Sequence, residues 1–134
     1  MTPGFDGLGS SLGNLHRLSD ARSRSISAEN PTGEPGRGGL AAEGHGAKAA
    51  RDLGLGWKVS PCVEIGAGEV FEVADIEGPG SIQQIWMTPL VDMRLLVLRI
   101  YWDGQEHPSV EAPLGDFFAT SWGTWARSPR SRCA

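Results

Sequence analysis

The chain has no apolar run of about eighteen residues, so it holds no segment able to cross a bilayer as a helix. Only two of its 134 residues are cysteine, Cys62 and Cys133, too few for a disulfide framework. Basic residues are outnumbered, twelve against sixteen acidic ones, and the net charge of −4 argues against a nucleic-acid-binding surface. The start, Met1 to Asp6, lacks both a basic and an apolar signal-peptide region, so the expected location is the cytoplasm. Histidine is scarce, and His16, His45 and His107 stand in three separate segments. A metal-binding jelly roll would need paired histidines on one strand, so neither a metal nor a cofactor is expected. Cys62, in a strand-like stretch, reads as a small buried apolar side chain.

What the chain has in quantity is glycine and proline, nineteen and nine residues, with no collagen-like period. Hydrophobic residues at 40% and charged residues at 21% argue against wholesale disorder. The length suits one domain. The charge is unevenly placed. Residues 1–126 hold all sixteen acidic residues and nine of the twelve basic ones. The last eight residues, Arg127 to Ala134, carry three arginines and no acid. They read either as a frayed basic tail or as the product of a truncation or frameshift.

Three regions are expected. Residues 1–60 form a Gly-rich loop region with short helical turns, one of them at Leu12–Asp20. A second helical stretch runs from His45 to Leu53, rich in alanine and stopped by Gly54 and Gly56. Residues 61–126 form an incomplete jelly-roll β-sandwich, and residues 127–134 are the basic tail. Within the second region, strands are expected at 61–65, 70–75, 81–87, 93–103 and 109–112. Turns at Glu77–Gly80 and Asp103–Gly104 separate them. The segment Met93–Asp103 is apolar on both faces and predicts a central strand covered on both sides; a buried helix is the alternative. Five short strands with regular turns give an all-β sandwich or jelly roll.

Short motifs fail on context. Gly9-Ser10-Ser11-Leu12-Gly13 fits the hydrolase nucleophile string, but no buried strand precedes it. Residues 36–41 and 44–49 both fit G-x-G-x-x-A without a preceding strand. No G-K-[ST] completes a phosphate loop, and Pro31 spoils the glycosylation sequon at Asn30. Carboxylates flank several turns: Asp75 with Glu77, Asp103 with Glu106, Glu111 with Asp116. A glycosidase needs two carboxylates facing each other across a sugar, but acids at strand ends more often solvate turns. Trp86, Trp102, Trp122 and Trp125 are many for so short a chain. Such rings stack on sugars or fill cores, and Trp102, inside the apolar segment, reads as core.

Several strings then recur together. Leu18-Ser19-Asp20, Arg24-Ser25-Ile26-Ser27 and Glu29-Asn30-Pro31-Thr32-Gly33 come first. Ala42-Glu43-Gly44, Gly56 to Pro61, and Ala74 to Gly80 before Ile85-Trp86 follow. Arg99 to Asp103 then leads to Pro108 to Pro113 and Gly115-Asp116-Phe117-Phe118. In this shared order, over roughly residues 5–126, the chain resembles the N-terminal part of glycoside hydrolase family 172. The resemblance implies a retaining glycosidase acting on fructofuranosides or arabinofuranosides. It further implies paired jelly-roll sandwiches and trimer-based homo-oligomers. The family's two catalytic glutamates lie well downstream of the Gly-Asp-Phe-Phe stretch, so no residue here is assigned as catalytic. The expected reading is an N-terminal fragment, inactive alone, with a carbohydrate substrate and no nucleic-acid or membrane partner. A stand-alone carbohydrate-binding module and a structural β-domain are the competing classes.

Five residues are candidates for touching sugar. Asp116 and Phe118 follow a Pro/Gly turn at a strand end, and Trp86 offers a stacking face. Glu43 and Arg24 lie in polar Gly- and Ser-rich loops, where binding residues tend to sit. Asp116 would accept hydroxyl hydrogen bonds and Arg24 would donate them. Structural readings stand beside these: Asp116 as a turn cap, and Arg24 paired with Glu29.

Overall fold

The computed structural model describes His16 and residues 20–119. The chain separates between Gln83 and Gln84 into two compact units. The expected helical turn at Leu12–Asp20 and the tail beyond Ala126 fall outside the described residues, apart from His16 and Asp20.

The first unit is built from turns. Ser27 and Asn30 exchange backbone hydrogen bonds of 3.1 and 2.9 Å, and the Asn30 side chain donates to the Glu34 carbonyl at 3.0 Å. Proline at position 31 suits such a reversal, since its ring fixes φ and removes a donor. A single helical turn, α1 (Ala47–Ala50), stands inside the expected alanine-rich stretch, and the chain leaves it through turns before Gly54. The residue before this helical turn and the earlier Ser27–Asn30 turn both bond to the segment 59–60. The Gly46 amide donates to the Val59 carbonyl at 2.7 Å, and the Ser60 amide donates to the Glu29 carboxylate at 2.5 Å. Val59 is the buried apolar side chain here, 6% exposed.

The second unit is a hairpin with a short turn at each root. A 3-10 turn at Met93–Leu95 is capped by the Asp92 carboxylate, which accepts from the Arg94 amide at 2.9 Å. Strands β1 (Val97–Ile100) and β2 (Val110–Pro113) then pair antiparallel. Leu98 lies opposite Ala112 and Ile100 opposite Val110, all four half-buried on one face. The other face carries Arg99 opposite Glu111, joined at 2.6 Å. That hydrogen bond, with the charge of the same carboxylate, raises the Arg99 guanidinium above its ordinary value. A helical turn, α2 (Leu114–Phe117), follows β2 directly, and the Leu114 amide donates to the Leu96 carbonyl at 2.8 Å. Leu114, 4% exposed, is the buried apolar side chain of this unit.

Several expectations are met closely. The Asp103-Gly104 turn is present, with both residues at positive φ, as the tight hairpin turn of that dipeptide requires. The Gln105 amide closes it onto the Trp102 carbonyl at 3.0 Å. The expected strand at 109–112 is β2, shifted by one residue, and Pro113 ends it where a missing N–H is tolerated.

The expected central strand at 93–103 is shorter than its apolar pattern suggests. Only Val97–Ile100 pairs, because the Asp92 cap winds Met93–Leu95 into a turn. Tyr101 and Trp102 run exposed into the hairpin loop, so Trp102 is not a core residue. Only one face of β1 is half-buried: among the described residues β2 is its one partner, and Val97 and Arg99 on the opposite face are exposed. The segments 61–65, 70–75 and 81–87 form no ladder among the described residues. Loose alternation and the bends at Gly66–Gly68 and Gly78–Pro79 leave their N–H groups without a strand alongside. The fold shown is therefore largely coil with one two-stranded antiparallel sheet and little helix.

Candidate functional site

The second unit gathers charge and aromatic surface at one end of its hairpin. Just beyond the Val97–Pro113 pair the two strands give way to the turns that carry Arg94 and Asp116. The side chains meet there: Arg94 Nη1 donates to Asp116 Oδ1 at 2.8 Å. Both turns hold their residue in place. Asp92 caps the turn that carries Arg94, and the Phe118 amide, donating to the Leu114 carbonyl at 3.2 Å, closes the turn that carries Asp116. The Asp116 carboxylate stays one-third open to solvent, at 33%.

Two rings follow at once. Phe117 and Phe118 meet edge to face, centroids 5.1 Å apart and planes at 89°. Phe118 is half-buried, and Phe117 shows more of its surface. A carboxylate anchored by a guanidinium and followed in sequence by an aromatic pair carries groups that can serve sugar recognition. The carboxylate accepts hydroxyl hydrogen bonds, made stronger by its charge, and a ring face covers the apolar C–H side of the sugar.

The five sequence-selected residues are distributed as follows. Asp116 and Phe118 share the α2 turn and its exit. Trp86 belongs to the same unit and is 71% exposed in an irregular segment. Arg24 and Glu43 belong to the first unit. Arg24 donates to the neighbouring Ser23 carbonyl at 2.9 Å, while Glu29, its suggested partner, accepts from the Ser60 amide. Glu43 is exposed in a turn before α1.

Sequence reasoning missed two groupings. Arg94 was not singled out, because its approach to Asp116 depends on the turns that follow the strand pair. Cys62, read as buried, is exposed; among the described residues no strand covers its stretch. His45, read as isolated, stands between Cys62 and Glu64, with Nδ1 3.6 Å from the sulfur and Nε2 2.9 Å from Oε1. Because a different ring nitrogen serves each neighbour, these three groups do not converge on a point. Among the described residues no group of three His, Cys, Asp or Glu side chains is placed to hold a metal ion. No helix among them is long and apolar enough to cross a membrane.

Comparison with known proteins adds one match. A family model described as GH172 domain-like fits residues 58–129, more than half of the chain. The matched span contains Trp86, Arg94, Asp116 and Phe118 and leaves out Arg24 and Glu43. No curated protein matches the sequence.

Proposed function

The chain belongs to the GH172 family, and from that membership we propose that it supplies furanoside recognition to a retaining glycoside hydrolase acting on fructofuranosides or arabinofuranosides. The observation that carries this reading is the Arg94–Asp116 pair, followed in sequence by the Phe117–Phe118 rings, within the family-matched span. Asp116 is the hydroxyl acceptor, and Phe118, with its neighbour Phe117, forms the apolar wall. Trp86 is a second stacking surface in the same unit. Arg24 and Glu43 remain outer candidates in polar turns of the first unit. No residue of this chain is assigned to the catalytic glutamate pair, so turnover by the 134-residue chain is not expected. A jelly-roll sandwich and a trimer-based assembly belong to the same proposal. The exposed strand-like segments 61–65, 70–75 and 81–87 are what such a sandwich would pair.

Ligand-observed NMR on the 134-residue chain tests the reading. Methyl arabinofuranoside and a fructofuranoside are expected to show saturation transfer, and methyl glucopyranoside is expected to show none. Asp116→Ala should weaken furanoside binding at least about tenfold, the value of one hydrogen bond to a charged group. Equal signals from all three sugars, or an unaltered response in Asp116→Ala, would sink the assignment. Release of nitrophenol from an aryl arabinofuranoside by this chain would show that it does hold a catalytic pair.

A further inference from the structure

The His45 ring stands between a carboxylate and a thiol. An ionised carboxylate can only accept hydrogen bonds. At 2.9 Å from Glu64 Oε1, the His45 tautomer that donates to an ionised carboxylate is the one with its proton on Nε2. In a neutral imidazole the other nitrogen is then bare. That bare Nδ1 is the atom facing Cys62 Sγ at 3.6 Å, within reach of the thiol hydrogen. A nucleophile, a base and a group that orients the base thus stand in line, the general arrangement of an activated nucleophile.

The backbone builds this line deliberately. Cys62 and Glu64 are two residues apart on a non-helical stretch, and extended backbone at that spacing sends both side chains to one side. His45 comes from seventeen residues upstream, and glycines flank it. A Cβ on Gly44 would lie 2.7 Å from the Val59 carbonyl oxygen, and one on Gly46 would lie 2.8 Å from that of Lys58. Only glycine at both places lets the His45 backbone lie directly against Lys58–Ser60, where its ring spans Cys62 and Glu64. All three side chains are exposed, so a small reactant can reach the sulfur.

We propose that Cys62 is a thiol-modification site, activated by His45 and positioned with the help of Glu64, that exchanges with low-molecular-weight disulfides. His45 Nδ1 takes the Cys62 proton, and the thiolate attacks one sulfur of the disulfide. The new bond joins Cys62 to that sulfur; the old sulfur–sulfur bond breaks, and the departing thiolate leaves with the proton from His45. Cys62 is oxidised, and the released half of the disulfide is reduced to a thiol.

A free thiol at neutral pH is only a few per cent thiolate, so a neighbouring base can accelerate attack by at most about thirtyfold. Lower nucleophilicity of a stabilised thiolate trims this to about tenfold. The test uses the full chain carrying Cys133→Ser, so that one thiol reports. The chain is mixed with glutathione disulfide at fixed neutral pH, and the gain of one glutathionyl group is followed by intact mass. The native chain is expected to react about ten times faster than the same chain in concentrated urea. His45→Phe should lose the acceleration, and Glu64→Ala should lose part of it. Equal rates in native buffer and urea would overturn the proposal without recourse to any variant. So would an unchanged rate in a His45→Phe chain.

Discussion

At micromolar concentration the chain is expected to sediment as oligomers, with little of a 14.3 kDa monomer. The expectation rests on how little apolar surface it covers. Among the described residues the buried apolar side chains are Val59 and Leu114 alone. Leu90 is fully exposed, Val70 is 87% exposed, and Trp86, Leu55 and Leu95 are nearly as open. Burial of apolar area is the main term that offsets the conformational entropy of folding, about 25 cal/mol for each Å² removed from water. A two-stranded hairpin is marginal on its own in water, and among the described residues no further strand pairs with either outer edge of β1–β2. Such edges and open apolar groups invite pairing with another copy. Sedimentation velocity across a concentration series decides the matter. A single monomeric boundary together with a cooperative thermal transition would show that the chain covers itself after all. In that case the proposed sandwich pairing of 61–87 loses its motive.

The proposed sugar site rests on the same hairpin. The Arg94–Asp116 pair is partly exposed, and an exposed pair contributes roughly 1 kcal/mol or less. It therefore orients the carboxylate more than it stabilises the hairpin. The hairpin's hold on Asp116 comes instead from the ladder itself and from Leu114, whose amide is tied to the Leu96 carbonyl.

How much of this was legible in the sequence follows the range of each interaction. Asp103-Gly104 announced its turn because the dipeptide itself tolerates positive φ. Pro108 and Pro113 bracketed β2 because proline withdraws a ladder donor. The alanines after Gly46, closed off by Gly54, marked α1. Met93–Leu95 misled because its apolar composition continues that of β1. The side-chain cap from Asp92, two residues before Arg94, outweighed that pattern. The Arg94–Asp116 pair needed both the strand pairing and the turns at its end, which no local signal states. Cys62 with His45 was hidden more deeply. Their meeting depends on the fit of two glycines against a carbonyl-lined segment thirteen residues on, and no motif encodes that fit.

The same fit yields the sharpest contrast among single substitutions. Gly44 has φ +147°, and an added Cβ would stand 2.7 Å from the Val59 oxygen and 2.8 Å from the Ser60 Cα. Both are backbone atoms, so no side chain can swing aside. Backbone strain and the forced shift together should cost about 3 kcal/mol in Gly44→Ala. Gly36 also has positive φ, +73°, but nothing lies within 4 Å of its added Cβ. Gly36→Ala should therefore cost only about 1 kcal/mol, the strain alone. Hydrogen exchange at the Gly46 amide, which donates to Val59, reads the difference. Local opening made easier by about 3 kcal/mol accelerates exchange about a hundredfold. Gly44→Ala is expected to do this, and Gly36→Ala to leave Gly46 protected. Glutathionylation of Cys62 should follow the same division, falling to the urea rate in Gly44→Ala and keeping its native rate in Gly36→Ala. If Gly46 exchanges alike in both variants, the contact with Val59 is not what places His45. The approach of residue 45 to the Cys62 sulfur would then need another cause.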